Sequence, residues 1–115
     1  MSSYSEIGKG SVVFAGAVIN AFAQIGCGCI VNTGSTIDHD GRLVDGVHVS
    51  PGAHLGGDVR VGHAAWIGIG ASVKQGVHIG DNVIVGAGAA VVHNIEPGLT
   101  VVGVPARKII LKNNA

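Results

Sequence analysis

Ile7, Val13, Ile19, Ile25, Val31, Ile37, Leu43, Val49, Leu55, Val61, Ile67, Val73, Ile79, Val85 and Val91 stand six residues apart, fifteen branched aliphatics without a miss. A period of six is neither the 3.6 of a helix nor a plain alternation. Each hexad is therefore a short extended segment followed by a change of direction. A longer period shows how many segments close a coil. Gly follows the aliphatic at Gly8, Gly26, Gly62 and Gly80, eighteen apart with one gap at Val44. Three residues after the aliphatic, the columns spaced by eighteen read Gly10, Gly28, Gly46, Ala64, Asn82, then Gly16, Gly34, Gly52, Gly70, Gly88, then Phe22, Asp40, Asp58, Gly76, Asn94. Gly, Asn and Asp tolerate the positive φ that a corner needs. Three hexads make one coil, which predicts an all-β fold: a parallel β-helix of about five triangular coils.

Residues 1–6 are a polar lead-in with no helix signal, and residues 7–96 carry the array. Pro97-Gly98 is expected to end it, Leu99 to Leu111 to form a returning strand or short cap, and Lys112 to Ala115 to fray. Four residues after each aliphatic come compact residues such as Ala23, Cys29, Ser35, Ala53 and Ile95, which suit the narrow interior of a prism. Cys29 reads as a small hydrophobe there, and it lies too close to Cys27 along one strand for a disulfide. Phe22 interrupts its corner column and reads as cover for an exposed edge or a subunit contact.

Composition excludes several classes. Seven acidic and seven basic residues cancel, and four aromatics leave no stacking platform, so nucleic acid is not expected as a partner. No apolar run approaches a membrane span, and Met1-Ser2-Ser3-Tyr4-Ser5 lacks the pattern of a secretory leader, so no membrane association and a cytoplasmic location are expected. Charge concentrates across Asp38 to His48, with three Asp, two His and one Arg in a chain that is 12% charged. Regularity should weaken there, and a sequence breaks its own rules mainly at functional sites.

The hexad pattern resembles the hexapeptide-repeat acyltransferases. Within them, Asn32-Thr33-Gly34-Ser35-Thr36-Ile37-Asp38-His39-Asp40 followed by Val47-His48-Val49-Ser50-Pro51-Gly52 resembles the bacterial acetyltransferases of nucleotide-linked 4-amino sugars and of sialic acid. Val102-Gly103-Val104-Pro105-Ala106-Arg107 matches the tail of the superfamily. The resemblance implies a left-handed coil, which the spacing alone does not show, and a homotrimer with sites between neighbouring prisms. It also implies acetyl-CoA as acyl donor and an amino sugar or nucleotide sugar as acceptor. These enzymes carry a small nucleotide-holding domain ahead of the prism. The prism here starts almost at once, as expected of a fragment or of a stand-alone prism.

His39 is the candidate general base, because imidazole has an unperturbed pKa of about 6.5 and can accept a proton from an attacking amine or hydroxyl at neutral pH. Asp40 or Asp38 could hold its second ring nitrogen, and the resemblance points to Asp40. Ordinary corner placement accounts for His39 too, since His63 and His93 also precede corners. The resemblance further implies that His48 contacts the thioester of acetyl-CoA and that Asn32 is an active-site polar group. His48 could equally be an outward residue packed near Trp66. Gly57, one coil after His39, offers a bare backbone N–H to a developing oxyanion. Ile69 and Ala87 line the expected path of pantetheine. Arg107, with Lys108, could meet the CoA phosphates, or be a solvated tail charge.

Six His raise a second possibility, a zinc-holding β-helix like the γ-class carbonic anhydrases. Their spacings do not reproduce that family's His pair five residues apart, so no metal is expected. The third possibility is a non-catalytic solenoid scaffold, which leaves the charged segment unexplained.

Overall fold

In a computed structural model of the chain, residues 4–109 are described; residues 1–3 and 110–115, which include the end of the expected cap and the tail, lie outside them. Among the described residues seventeen short strands, numbered along the chain, form three sheets. Side A stacks β1 (Glu6–Ile7), β4 (Gln24–Ile25), β7 (Arg42–Leu43), β10 (Arg60–Val61) and β13 (His78–Ile79). Side B stacks β2 (Val12–Val13), β5 (Ile30–Val31), β8 (His48–Val49), β11 (Trp66–Ile67), β14 (Ile84–Val85), β16 (Thr100–Val102) and finally β17 (Arg107–Lys108). Side C stacks β3 (Val18–Ile19), β6 (Thr36–Ile37), β9 (His54–Leu55), β12 (Ser72–Val73) and β15 (Ala90–Val91). Pairs are parallel and offset by eighteen residues, as in Ile25↔Leu43 and Ile67↔Val85. This is the three-sided parallel β-helix that the spacing predicts, consistent with the left-handed coil of the resemblance. Among the described residues no helix occurs, and none is long and apolar enough to cross a membrane.

The interior is built from two columns. From Ile19 to Val91 every ladder aliphatic is buried, and Ala23, Cys29, Ser35, Val47, Ala53 and their successors fill the space between. Ser35, buried and polar, is satisfied by donating its hydroxyl to the Asn32 carbonyl at 2.7 Å. Corners follow the expected conformation, with positive φ at Gly10, Gly16 and each later Gly of those columns, and also at Asp40, Asp58, Ala64 and Asn82. Phe22 adopts it as well (φ 63) and stacks on Tyr4 with ring centroids 5.5 Å apart. Phe22 therefore obeys the corner rule in its backbone.

Two expectations need correction. The array does not end at Pro97-Gly98. Ile95 pairs with Ile79, and Val101 pairs with Val85, both at an offset of sixteen. Ile95 is thus the ladder residue of a hexad shortened by two, and Gly98 (φ 79) is its corner, its N–H bonded to the Asp81 carbonyl. Asn94, by contrast, does not take positive φ; its side chain accepts the His78 N–H at 2.8 Å. The chain then returns at Ala106 to pair β17 antiparallel to β16. The second correction concerns Asp38 to His48, where the backbone keeps full register on both neighbours. Only the side-chain chemistry is irregular.

Because coils stack like repeats, a deleted methyl group is felt most where coils pack on both sides. Ile67→Ala, in the middle of the prism and fully buried, should cost about 2–5 kcal/mol in urea unfolding. Ile7→Ala, half-buried on the first coil, should cost markedly less. Equal losses would contradict the packing described.

Candidate active site

Of the expected site residues, the structure gathers three at the corner between sides C and A. Asp40 occupies the positive-φ position, so His39 before it projects from the edge of the prism, exposed. The Asp40 Oδ2 lies 3.2 Å from His39 Nδ1. With its proton on Nδ1 donated to that carboxylate, the ring keeps a free lone pair on Nε2. Asp38 has a different task. Its Oδ1 accepts the His39 backbone N–H at 2.7 Å and the Asn20 Nδ2–H at 3.1 Å. These bonds, the backbone one foremost, hold its carboxyl below the usual carboxylate range. Asp38 fixes the backbone beneath His39, and Asp40 addresses the ring.

Gly57 completes this group. A methyl group on it would collide with Nε2 and Cε1 of His39, so the ring lies directly over its bare Cα. Its N–H donates to no described residue. The same holds for Ile69 and Ala87, whereas the equivalent N–H groups of Cys27, Thr33, His39 and His63 are taken by side-chain oxygens. A cleft of ≈ 450 Å³ opens beside His39 and Asp40, bounded by Phe22, Gln24, Arg42 and Arg60.

The second group lies on side B and the corner that follows it. His48 stacks on Trp66 with ring centroids 3.9 Å apart and planes inclined by 25°, the outward packing noted above. Burial pushes its pKa below the ordinary value, which favours the neutral ring. A cleft of ≈ 320 Å³ runs from His48 past Ser50 and Trp66 to Ile69, Ile84 and Ala87. Its walls are mostly apolar, with unused N–H groups at Ile69 and Ala87. Asn32 sits on the same corner one coil earlier, its Oδ1 accepting the Thr33 N–H at 2.7 Å, and does not line that cleft. Arg107 is exposed on β17, four strand spacings from His48 along side B, about 19 Å away.

In a triangle, the corner joining sides C and A lies opposite side B. His39 and His48 therefore point away from each other, and neither of the two clefts described contains both. The hexad spacing by itself does not reveal this separation. Nor does it single out Arg42 and Arg60, which a reading of the first strand position by columns of eighteen would have paired. Among the described residues no three His, Cys, Asp or Glu are placed to share a metal ion. Cys27 and Cys29 are free thiols.

Comparison with known proteins agrees with the repeat. The family model for the bacterial transferase hexapeptide (six repeats) matches residues 58–93. The acetyltransferase domain of PglB from Neisseria gonorrhoeae, solved with acetyl coenzyme A, is 47% identical with a TM-score of 0.93, covering 94% of this chain and 53% of that one. PerB from Caulobacter crescentus, solved with CoA and GDP-perosamine, is 42% identical with a TM-score of 0.90, covering 94% and 52%. A galactoside acetyltransferase in complex with coenzyme A is 27% identical with a TM-score of 0.81, covering 96% and 66%. The chain thus spans about half the length of the first two. No curated protein sequence matches it.

The contact between His39 and Gly57 gives a direct handle. Gly57 lacks positive φ, so Ala fits the backbone and the imidazole must move instead. Gly57→Ala should leave the melting temperature close to wild type and shift the His39 ring resonances in NMR. An unmoved ring would show that this contact positions nothing.

Proposed function

We propose that this chain, a hexapeptide-repeat parallel β-helix of the acetyltransferase type, transfers the acetyl group of acetyl-CoA to an amino or hydroxyl group of a sugar, most fittingly a nucleotide-linked one. The observation that carries the proposal is His39, with Nδ1 on Asp40 and Nε2 over the Gly57 backbone. Relatives solved with acetyl coenzyme A, and with CoA and GDP-perosamine, support the substrate classes.

His39 Nε2 takes the proton as the acceptor nitrogen or oxygen attacks the thioester carbonyl, and Asp40 stabilises the imidazolium. The carbonyl oxygen gains negative charge, for which the Gly57 N–H, bonded to no described residue, is the donor. The tetrahedral species collapses, the C–S bond breaks, and the CoA thiolate takes up the proton from His39. No acyl-enzyme is needed: Cys29 is buried, and its Sγ lies 3.0 Å from the Val44 carbonyl. The apolar cleft from His48 to Ala87 suits the pantetheine arm, with the Ile69 and Ala87 N–H groups for its amides and Arg107 farther along for its phosphates.

Since the two groups lie on opposite parts of one prism, the complete site requires a second copy whose side B meets the His39 corner. A closed ring of three such heterologous contacts is the homotrimer we propose. The exposed apolar residues Val12, Trp66 and Ile84 on side B fit burial against that copy. Free thiols and a CoA donor suit the reducing cytoplasm.

His39→Ala should lower kcat by roughly 10²–10⁴ with little change in acetyl-CoA affinity, whereas His48→Ala should weaken acetyl-CoA binding. Co-expressing the two variants should restore part of the activity, because some mixed interfaces then carry both intact histidines. Mixed oligomers no more active than the parents would refute a site shared between copies.

A further inference from the structure

Side A of the prism carries a row of outward residues that the proposed reaction has not yet used. Gln24, Arg42, Arg60 and His78 are successive Cα partners on β4, β7, β10 and β13. Neighbouring strands lie about 4.8 Å apart, so the two arginines leave the sheet from adjacent rungs at ladder distance. Like charges directly opposite on a sheet are unfavourable, and proteins ordinarily relieve them with a carboxylate. Here nothing does. The His39–Asp40 contact is the one approach of a basic side chain to a carboxylate within 4 Å among the described residues, so neither Arg42 nor Arg60 has an acidic partner, although Asp40 and Asp58 stand along the same edge.

The two arginines are shared by two neighbouring clefts, which together make a trough across side A. On one side is the ≈ 450 Å³ cleft containing His39 and Asp40; on the other is a cleft of ≈ 380 Å³ floored by Gly62 and Gly80 and reaching His78 and Pro97. Both clefts are lined by Arg42 and Arg60. Phe22 adds an independent sign at the trough's His39 end. It is a 59% exposed aromatic held at φ 63, one coil before Asp40, in a column where other positions use Asp or Gly. A bulky residue kept in the left-handed region tends to mark a functional surface.

We infer that Arg42 and Arg60 form an anion site for the phosphates of the acceptor, with the sugar lying toward His39 and the group beyond the phosphates toward Gly62, Gly80 and His78. Guanidinium groups match phosphate oxygens in paired, charge-assisted hydrogen bonds, and a diphosphate is long enough to engage adjacent rungs. Asp40 and Asp58 line one cleft and Asp81 the other, which leaves the row of Arg42 and Arg60 between them as the place for an anion. The inference rests on the sugar-acetyltransferase reading for the identity of the ligand, and on side A alone for the existence of the site.

The test begins without turnover. Inorganic pyrophosphate is titrated calorimetrically into the wild type, Arg42→Gln, Arg60→Gln and the double variant, each checked for unchanged melting temperature. Pyrophosphate should bind the wild type, bind each single variant roughly ten- to hundredfold more weakly, and weaken further with added NaCl. Equal binding by all four would overturn the site. In a second arm, KM is measured for UDP- and GDP-linked 4-amino sugars and for the same sugars without phosphate. The variants should raise KM for the nucleotide-linked sugars alone, leaving kcat and the KM of acetyl-CoA unchanged. A rise in the KM of acetyl-CoA instead would assign the arginines to the diphosphate of CoA and overturn the acceptor assignment. Arginine-dependent pyrophosphate binding with no acetylation of any sugar would sink the proposed function while leaving the anion site standing.

Discussion

Everything in this protein follows from the narrowness of a three-sided coil. Each hexad sends two side chains inward, one branched aliphatic and one compact residue, and the space between three sheets admits little else. Burying those columns is the dominant favourable term, since the strands themselves are two residues long and offer few hydrogen bonds without neighbours. The same restriction drives all chemistry outward. A residue that reacts or binds must stand either first in a strand, as Arg42, His48 and Trp66 do, or at the corner, as His39 does.

That constraint explains which parts of the molecule were legible beforehand. The coil was, because the aliphatic interval is fixed by geometry and any slip would turn a buried residue into solvent. The end of the array was misread, because Ile95 follows Val91 by four residues instead of six. Shortening a corner by two keeps the stack intact, as Val101 behind Val85 shows, but it breaks a template that counts only in sixes. Ile95 itself was the available signal: it is larger than its supposed compact position usually holds. The charged stretch from Asp38 was taken for a structural flaw, whereas the ladder runs through it undisturbed.

The site was legible in pieces. His39 and Gly57 share a column and Asp40 is the next residue after His39, so their proximity follows from the eighteen-residue pitch and chain adjacency. The division of labour between Asp38 and Asp40 does not, because it depends on which carboxylate the corner turns toward the ring and which toward the backbone. The opposition of His39 and His48 requires knowing that one stands at a corner and the other on the facing side. Once that is seen, the separate clefts read as two halves of a site that neighbouring prisms complete, one activating the nucleophile and one accommodating the thioester arm.

The most direct test of this account is a crystal structure of the chain with a non-reactive thioether analogue of acetyl-CoA. The account predicts the analogue between two copies, its carbonyl near His39 Nε2 of one and its pantetheine arm along Ile69 and Ala87 of the other. An analogue bound wholly to a single prism, away from His39, would contradict it.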